Sequence, residues 1–350
     1  MRKYLIGIWG QYGDSENVAD GQAVRTRIIT NAIKARFGID KVHMVNTNNW
    51  KKRKLSLLFA TLHMIFYCEK IIIMPADNGF KLIVPLLNIM SYFHKNKIIY
   101  IVIGGFLPNL LRRNSKYIKY LKKYQAIFVQ TTNLKQEINV LGLKNTYILS
   151  NLKDMEKRNV SDIKQINADN IKVCTLSRIN IEKGILDAID AVKIANTILK
   201  KKKIQLDIFG IVSKGFEEQF YNLLRQHSDF VEYKGVVPYD KTVGVLKDYF
   251  CLVFPTYYYG EGFAGTFIDA FFSGVPIITT NWKHNSEIIK EAKNGFLVNI
   301  KSPNEIADRL VYLYKNRLIQ YEISINNLNE AVKYDPSIVL EDLFHILDLR

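Results

Sequence analysis

Cysteine is scarce in this 350-residue sequence, which contains only Cys68, Cys174 and Cys251, far apart from one another. They have no metal-ligand spacing, and two of them lie in or beside apolar strand-like runs, where a thiol behaves as a small hydrophobe. This argues against a disulfide framework and predicts a protein of the reducing cytoplasm. The six histidines form no helix-spaced pair, so we expect no bound metal.

Long apolar runs are also missing. No segment reaches the roughly 18 to 20 uninterrupted apolar residues that span a bilayer, and the nearest approach, 55–67, is shorter. The composition, 48% hydrophobic with 12% aromatic residues, instead suits a folded chain with two sizeable cores, and the length allows about two domains.

Acidic residues are few in the first half of the chain. Residues 1–150 contain 23 Lys and Arg against 7 Asp and Glu, whereas residues 151–350 contain 26 of each. The whole net charge of +16 therefore belongs to the first half. A basic surface implies an anionic partner, which leaves nucleic acid, anionic lipid headgroups or a phosphorylated acceptor as candidates.

One basic segment, 108–124, helps to choose among these partners. It predicts an amphipathic helix with leucines, an isoleucine and tyrosines beside one basic face. That face consists of Arg112, Arg113, Lys116, Lys119 and Lys123. Such a helix can lie at a membrane interface, where each basic residue contributes about 1 kcal/mol near anionic lipid. The alternative is the solvated face of an ordinary surface helix.

A second basic patch, 51–54, stands directly before the apolar run 55–67. Basic residues next to apolar ones favour the membrane interpretation. The same run is equally consistent with a core helix, so both interpretations stay open.

Apolar strand-like runs alternate with helical patterns in both halves of the chain. The predicted strands are 4–9, 42–45, 71–74, 98–103, 127–130 and 147–149, followed by 172–176, 205–209, 231–234, 252–254, 276–279 and 296–298. Continuous apolar strands are buried on both faces, which requires helices above and below a mostly parallel sheet. The sequence therefore predicts an α/β protein with two doubly wound sheets.

The segment 254–276 sets Glu261 and Asp269 around a glycine-bearing turn between a buried strand and an apolar helix. N–H groups in the first turn of such a helix can donate to a phosphate or a sugar oxygen. Carboxylates accept hydrogen bonds from hydroxyl groups, as in dinucleotide-binding folds. The alternative is that Glu261 only favours the helix N-terminus and that Asp269 is a solvated helix residue.

Three motifs resemble those of the family 4 glycosyltransferases, also called group 1 glycosyltransferases. The first begins at Glu261 and ends with the tail Ala270, Ser273, Gly274, Val275 and Pro276. The second is the Arg and Lys-Gly element at 177–184, and the third is Glu287 followed by 294–298. The resemblance spans roughly 173–298, and the N-terminal half matches only loosely.

This resemblance implies the GT-B architecture, in which two Rossmann-like doubly wound parallel-sheet domains face each other across a cleft. We expect an acceptor-binding domain at 1–152, a polar linker at 153–170 and a donor-binding domain at 171–335. The C-terminal helix, 336–350, is expected to pack back on the first domain. The resemblance also implies that the donor is a nucleotide-sugar and that no metal or other cofactor is required.

The resemblance assigns roles to residues by position. Arg178 and Lys183 would hold the donor diphosphate, Glu261 the donor sugar and Asp269 the ribose hydroxyls. We expect these first three to be the catalytic residues. Arg178 and Lys183 are fixed cations that stabilise the charge building on a departing phosphate, and Glu261 holds the sugar that is transferred. Further donor contacts would come from the backbone N–H groups of Gly262, Phe263 and Ala264.

The acceptor side is predicted from two loops of the first half. Gly21, Gln22 and Arg25, at the start of a helix after the first strand, would contact the acceptor or a phosphate; the alternative is an N-cap and a mobile loop. Gly104 and Gly105 permit close backbone approach of a ligand, although a tight turn is equally consistent. Many family members have a histidine near this second loop, and none stands here, so the general base is unassigned.

The sequence therefore predicts a retaining glycosyltransferase, of hexosyl- or N-acetylhexosaminyl-transferring type, that uses a UDP-linked donor. Its acceptor would be a lipid-linked or membrane-proximal glycan, at the inner face of the cytoplasmic membrane, in bacterial cell-surface polysaccharide biosynthesis. Two other classes stay open. One is a catalytically silent partner subunit with the same fold; the other is a nucleic-acid-binding protein, which would leave the motifs unexplained and lacks a recognition motif.

Overall fold

The structure, a computed structural model, describes residues 3–13, 21–163, 166, 169–200 and 203–349. It comprises two compact units, one formed by Met1–Asp154 with Asp335–Arg350 and the other by Met155–Tyr334. Each unit contains a six-stranded sheet in which every strand pair is parallel. This agrees with the two doubly wound sheets that the sequence predicts.

All twelve predicted strands are present, with boundaries that differ by one to three residues. The strands are β1 Tyr4–Gly10, β2 Val42–Asn46, β3 Cys68–Met74, β4 Lys97–Ile101, β5 Ala126–Val129, β6 Thr146–Ile148, β7 Ile171–Leu176, β8 Ile204–Phe209, β9 Val231–Gly235, β10 Cys251–Phe254, β11 Ile277–Thr280 and β12 Gly295–Val298.

The helices of the first unit are α1 Gly21–Phe37, α2 Lys54–Tyr67, α3 Asp77–Met90, α4 Leu107–Arg113, α5 Lys116–Leu121 and α6 Thr132–Val140. Those of the second are α7 Ile185–Ile198, α8 Glu217–Gln226, α9 Thr242–Leu246, α10 Gly265–Ser273, α11 Asn285–Ile288, α12 Pro303–Lys315 and α13 Arg317–Ala331. The chain then returns to the first unit with α14 Pro336–Val339 and α15 Glu341–Asp348.

The central strand β3 shows why these apolar runs form strands. Ile71 and Ile73 point to one face of the sheet and join a core with residues of α2 and α3. Ile72, between them, is fully buried on the opposite face. A strand buried on both faces must be apolar at every position, which is the continuous pattern seen in the sequence.

The C-terminal segment is held to the first unit by side chains as well as by packing. Buried Lys70 donates to the carbonyl oxygens of Leu347 and Leu349, and Arg36 forms a 2.6 Å ion pair with Asp348. The segment predicted as one helix, 336–350, is two helices separated at Leu340.

The prediction of a single amphipathic helix at 108–124 is wrong. α4 ends at Arg113, Asn114 leaves the helical conformation with φ −147° and ψ 88°, and α5 begins two residues later. Tyr117 and Tyr124 are buried in the core that covers the sheet, so neither can lie at a headgroup layer. The basic side chains are exposed nonetheless, on two short helices and the turn after them: Arg112, Arg113, Lys116, Lys119 and Lys123.

The apolar run 55–67 forms most of α2, a single helix of 14 residues. Within the part of the chain that the structure describes, we find no helix with the length and apolar character needed to cross a bilayer. All three cysteines are buried thiols without a disulfide, and burial raises the pKa of Cys174 and Cys251.

Gly210, directly after β8, tests how tightly the second unit is built around its strand ends. Its φ is 135°, and a Cβ there would lie 1.7 Å from the carbonyl oxygen of Ser177. We expect Gly210→Ala to lower the free energy of unfolding by about 2 kcal/mol or more, because both backbones would have to move. Urea unfolding followed by circular dichroism measures this change.

The matched control is Gly244→Ala in α9, where nothing lies within 4 Å of the added methyl group. It should keep or raise stability, by up to about 1 kcal/mol, because alanine has the better helix propensity. Equal stability of the two variants would contradict the close approach at Gly210.

Candidate functional site

The strand order of the second sheet reverses between β7 and β10. From β7 the chain continues through β8 and β9 to one edge, and from β10 through β11 and β12 to the other edge. In open α/β sheets, ligands bind in the crevice outside the carboxyl ends of the strands at such a switch point. Most of the predicted donor residues lie in the two loops that leave these strands.

The loop after β7 has a fixed conformation. The side chain of Asn180 accepts a hydrogen bond of 2.9 Å from the N–H of Lys183 and so caps the single 3-10 turn Ile181–Lys183. Gly184 follows with φ 74°, and a Cβ there would lie 2.1 Å from the carbonyl oxygen of Pro255. Glycine is therefore required where this loop touches the end of β10.

A second contact joins the same two loops. The N–H of Tyr257, in the loop after β10, donates to the carbonyl oxygen of Glu182 at 2.8 Å. The two loops thus form one backbone-linked structure at the switch point, and the side chains that they present are held relative to each other.

The centre of this structure is a buried ion pair. The Nζ atom of Lys183 lies 2.6 Å from Oε2 of Glu261, and the two side chains are only 15% and 9% exposed. The hydroxyl of Thr256 donates to the same oxygen at 2.9 Å. Aromatic rings enclose the ammonium group, at 5.3 Å for Phe254 and 4.9 Å for Tyr258. Because water is largely excluded, this attraction is screened far less than at a surface.

Arg178 lies in the loop after β7 and is exposed. Its position is set by the next residue, since the N–H of Ile179 donates to the carbonyl oxygen of Ile211 at 2.8 Å. Among the described residues Arg178 has no carboxylate within ion-pair distance. Its cation is available to an anionic ligand.

The residues Gly262, Phe263 and Ala264 precede α10, with Ala264 as its N-cap. The ring of Phe263 packs edge-on against Tyr334 at 5.2 Å in the core, so its side chain contributes to packing. The first N–H groups of a helix lack intrahelical partners and carry partial positive charge; in α10 that of Phe267 already donates to the carbonyl oxygen of Ala264 at 3.1 Å.

Asp269 lies one turn further along α10 than its first residues and is half-buried. Its Oδ1 accepts a 3.0 Å hydrogen bond from the hydroxyl of Thr242 on α9. This hydrogen bond holds the orientation of the Asp269 carboxylate. Asp269 lies on α10, and Glu261 lies in the turn just before that helix. The two acids therefore belong to one helix and the turn that leads into it.

Sequence reasoning missed two hydroxyl side chains of this site. Thr256 orients Glu261, and its only sequence signal is that it follows the end of β10 by two residues. Thr266, in the first turn of α10, has a buried hydroxyl without a hydrogen-bond partner among the described residues. Such orphaned polar groups are rare and can mark a place where a ligand donates or accepts.

The first sheet also reverses its order, between β1 and β3. Gly21 begins α1 after β1, and the side chain of Gln22 donates to the carbonyl oxygen of Met74, at the end of β3, at 3.2 Å. The preceding loop residues Asp14 and Asp20 lie outside the described residues. Gln22 is thus at the carboxyl edge of the sheet, where a ligand is expected.

Arg25 is turned inward rather than toward solvent. Its Nη2 atom donates to the carbonyl oxygens of Leu149 at 2.7 Å and Ser150 at 3.3 Å. Burial lowers the pKa of Arg25 to about 9, so the guanidinium is still charged at neutral pH. Its Nε and Nη1 atoms are buried and have no partner within the described ranges.

The loop after β4 contains the predicted glycines. Gly104 adopts a left-handed conformation with φ 72°, as a tight turn requires, and Gly105 is buried. Across both units, and within the described residues, no three His, Cys, Asp or Glu side chains gather as metal ligands would.

Two doubly wound units, each with a parallel six-stranded sheet, define the GT-B fold. Residues 156–332 match the family described as glycosyl transferases group 1, a match that spans half of the chain. The protein therefore belongs to the group 1 glycosyl transferases. This confirms the resemblance seen in the sequence and the predicted enzyme class, whereas the narrower family 4 assignment stays a prediction.

Two curated relatives are glycosyltransferases by name. The chain is 23% identical over 324 residues to the uncharacterized glycosyltransferase MJ1069 of Methanocaldococcus jannaschii, covering 89% of this chain and 76% of that protein. It is 28% identical over 225 residues to the capsular polysaccharide biosynthesis glycosyltransferase CapM of Staphylococcus aureus. That match covers 61% of this chain, and the chain spans only 56% of the length of CapM.

A solved structure shows the same fold. HepE of Anabaena, in complex with UDP and glucose, superposes with a TM-score of 0.73 at 14% identity. The match covers 98% of this chain and 99% of HepE.

The buried ion pair can be tested by a double-mutant cycle. We expect Lys183→Met to destabilise the protein, because it leaves the carboxylate of Glu261 buried without its cation. Lys183→Met combined with Glu261→Gln should cost less than the sum of the single changes, with a coupling of about 1 to 3 kcal/mol. Urea unfolding of the four proteins measures it.

The matched control is the exposed pair of Lys81 and Asp77, four residues apart on α3, with both side chains about half exposed. The same cycle there should give about 0.5 kcal/mol or less. Equal coupling in the two pairs would show that burial of Lys183 and Glu261 adds nothing.

Proposed function

We propose that the protein is a retaining glycosyltransferase that transfers a sugar from a UDP-linked donor to a lipid-linked or membrane-proximal glycan. The observation that carries this proposal is the buried pair of Lys183 and Glu261 at the switch point of the second sheet. Lys183 is a cation that can bind a diphosphate, and Glu261 is a carboxylate that can accept hydrogen bonds from sugar hydroxyls. Because the two side chains lie side by side, they match a ligand in which a diphosphate is joined to a sugar.

In this proposal Lys183 and Arg178 bind the donor diphosphate, and Glu261 accepts hydrogen bonds from hydroxyls of the donor sugar. Thr256 holds Glu261 in the orientation that this requires. Asp269 binds the ribose hydroxyls from the second turn of α10. Gly262, Phe263 and Ala264 contribute backbone N–H groups, together with the first turn of the same helix.

During transfer, the bond between the anomeric carbon and the phosphate oxygen breaks while the acceptor oxygen bonds to that carbon from the same face. The departing phosphate takes the proton of the acceptor hydroxyl, so no side chain is needed as a general base. Negative charge builds on the phosphate, and Lys183, Arg178 and the N–H groups stabilise it without a metal.

The acceptor binds to the first unit in this proposal. Gly21, Gln22, Gly104 and Gly105 bring backbone and amide groups to the acceptor. Arg25 is buried, so its charge favours an anionic acceptor from within the unit, without direct contact. The excess of 16 positive charges in residues 1–150 suits an acceptor that carries phosphate, such as a glycan joined to its lipid through phosphate.

The choice of donor and pathway is supported by proteins similar to this one. The HepE structure contains UDP and glucose, and CapM is named for capsular polysaccharide biosynthesis. We therefore propose a hexose or N-acetylhexosamine donor and a role in bacterial cell-surface polysaccharide synthesis, at the cytoplasmic face of the inner membrane.

Glu261→Ala and Lys183→Ala test the donor site. Each should lower turnover about 100- to 1,000-fold, which is about 2.7 to 4 kcal/mol of barrier, the size found for one lost charge-stabilising group. The measurement is release of UDP from a panel of UDP-sugars, with and without a glycan acceptor, on variants whose circular dichroism matches the parent.

Lys81→Ala, which removes an exposed lysine of the other unit, is the control and should leave turnover unchanged. No UDP release by the folded parent from any nucleotide-sugar would contradict the proposal and favour a catalytically silent partner subunit.

Metal removal tests the mechanism of leaving-group stabilisation. We expect excess EDTA to change the rate of UDP release less than twofold, because side-chain cations and helix N–H groups bear the phosphate charge. A loss that added Mg²⁺ or Mn²⁺ restores would contradict this mechanism.

A further inference from the structure

Helix α2 has apolar side chains on its solvent-facing side as well as on its inner side. Leu55, Phe59 and Phe66 are spaced by four and seven residues, so they lie on one face. Leu55 is 73% and Phe59 68% exposed. The other face, with Leu57 and Met64, packs against the sheet. The helix therefore cannot bury its outer stripe within its own unit.

Helix α3 repeats this arrangement. Leu82 and Ile89, seven residues apart, are exposed on its outer side, and Phe93 follows just after its end at 75% exposure. Phe80 and Leu87 on the inner side are buried in the core of the unit. A second apolar stripe thus faces away from the sheet.

The two stripes adjoin. The ring of Phe66 lies 4.4 Å from that of His94, the residue after Phe93. Asn96 ties the same two segments together, since its side chain donates to the carbonyl oxygens of Ile65 at 2.9 Å and Cys68 at 2.7 Å. We define the α2–α3 face as Leu55, Phe59, Phe66, Leu82, Ile89 and Phe93.

Positive charge borders this face at both ends. Residues 51–54, Lys-Lys-Arg-Lys, stand exposed at the start of α2. At the other end Lys123 donates to Asn88 of α3 at 3.1 Å and lies 4.7 Å from the ring of Tyr92. Lys123, in the turn after α5, therefore borders the α2–α3 face beside the end of α3. Residues 51–97 include only two acids, one of which, Asp77, is paired with Lys81.

Contiguous apolar surface of this kind marks an interaction site. A second copy of the chain would set two positively bordered faces against each other, which like-charge repulsion opposes. A bilayer with anionic headgroups satisfies both properties, because apolar side chains enter the acyl boundary while lysines and arginines meet the headgroups.

We propose that the α2–α3 face binds the surface of an anionic lipid bilayer, with Phe59, Phe66 and Phe93 inserted and residues 51–54 on the headgroups. This rests on the proposed function for its biological purpose, since it would hold the first unit beside a lipid-linked acceptor. It replaces the amphipathic helix expected at 108–124 by two helices whose inner sides are fixed to a sheet.

The test is sedimentation of the full chain with vesicles of phosphatidylcholine, with and without phosphatidylglycerol. The parent should bind the anionic vesicles, and the triple variant Phe59→Ser, Phe66→Ser, Phe93→Ser should bind at least tenfold more weakly. The matched control replaces three exposed apolar residues elsewhere in the same unit, Ile39, Val140 and Ile338, by serine and should bind as the parent does.

The charge border is tested by Lys51→Glu, Lys52→Glu and Lys54→Glu together, which should weaken binding to anionic vesicles at least tenfold. Failure of the parent to bind anionic vesicles would overturn the proposal, as would equal losses in the control variant. A parent dimer that the phenylalanine variant converts to monomer in sedimentation velocity, without vesicle binding, would also overturn it and identify a second copy as the occupant.

Release of UDP from UDP-sugars in lipid-free solution separates this proposal from the proposed function. The serine variant should retain that activity, because the α2–α3 face lies outside the donor site. Activity without vesicle binding would contradict only the proposal that the α2–α3 face binds a bilayer. Vesicle binding without activity would contradict only the proposed enzymatic function.

Discussion

The attraction between Lys183 and Glu261 is the interaction on which the functional part of this molecule depends. Burying either charge alone would be costly, so each is tolerable only because the other lies 2.6 Å away. That proximity in turn requires two loops from adjacent strands to meet, which Gly184 allows and the hydrogen bond from Tyr257 to Glu182 maintains. The ion pair therefore depends on the loop backbones, and the contact between the loops depends on the order of the strands.

Much of this arrangement was predictable from sequence because its determinants are local in the chain. A strand covered on both faces must be apolar throughout, and fully buried strands such as β5, β10 and β11 could be predicted for that reason. The turn before α10 was found because a glycine, an acid and an apolar helix stand in one short segment. The order of the strands, and with it the pairing of Lys183 with Glu261 across 78 positions, follows from tertiary packing.

Where sequence reasoning failed, it did not predict which way a side chain faces. A basic and apolar segment such as 108–124 has the same composition whether its tyrosines face lipid or a sheet, and here Tyr117 and Tyr124 complete the core. For the run 55–67 the sequence left a core helix and a membrane segment both open, and α2 has a buried apolar side as well as an exposed apolar stripe. Arg25 is a further example, since no residue near it in the sequence indicates that it bonds to the carbonyl oxygens of Leu149 and Ser150.

The contact of Gly184 with Pro255 has a consequence for how such a protein can diversify. The spacing of the two loops is set by neighbouring backbones, so side chains around them can be exchanged without disturbing the separation between strands β7 and β10. A preference for a different sugar can then arise by substitution of the side chains around these two loops alone. A single added methyl group at position 184 would instead push apart the scaffold that every such change relies on.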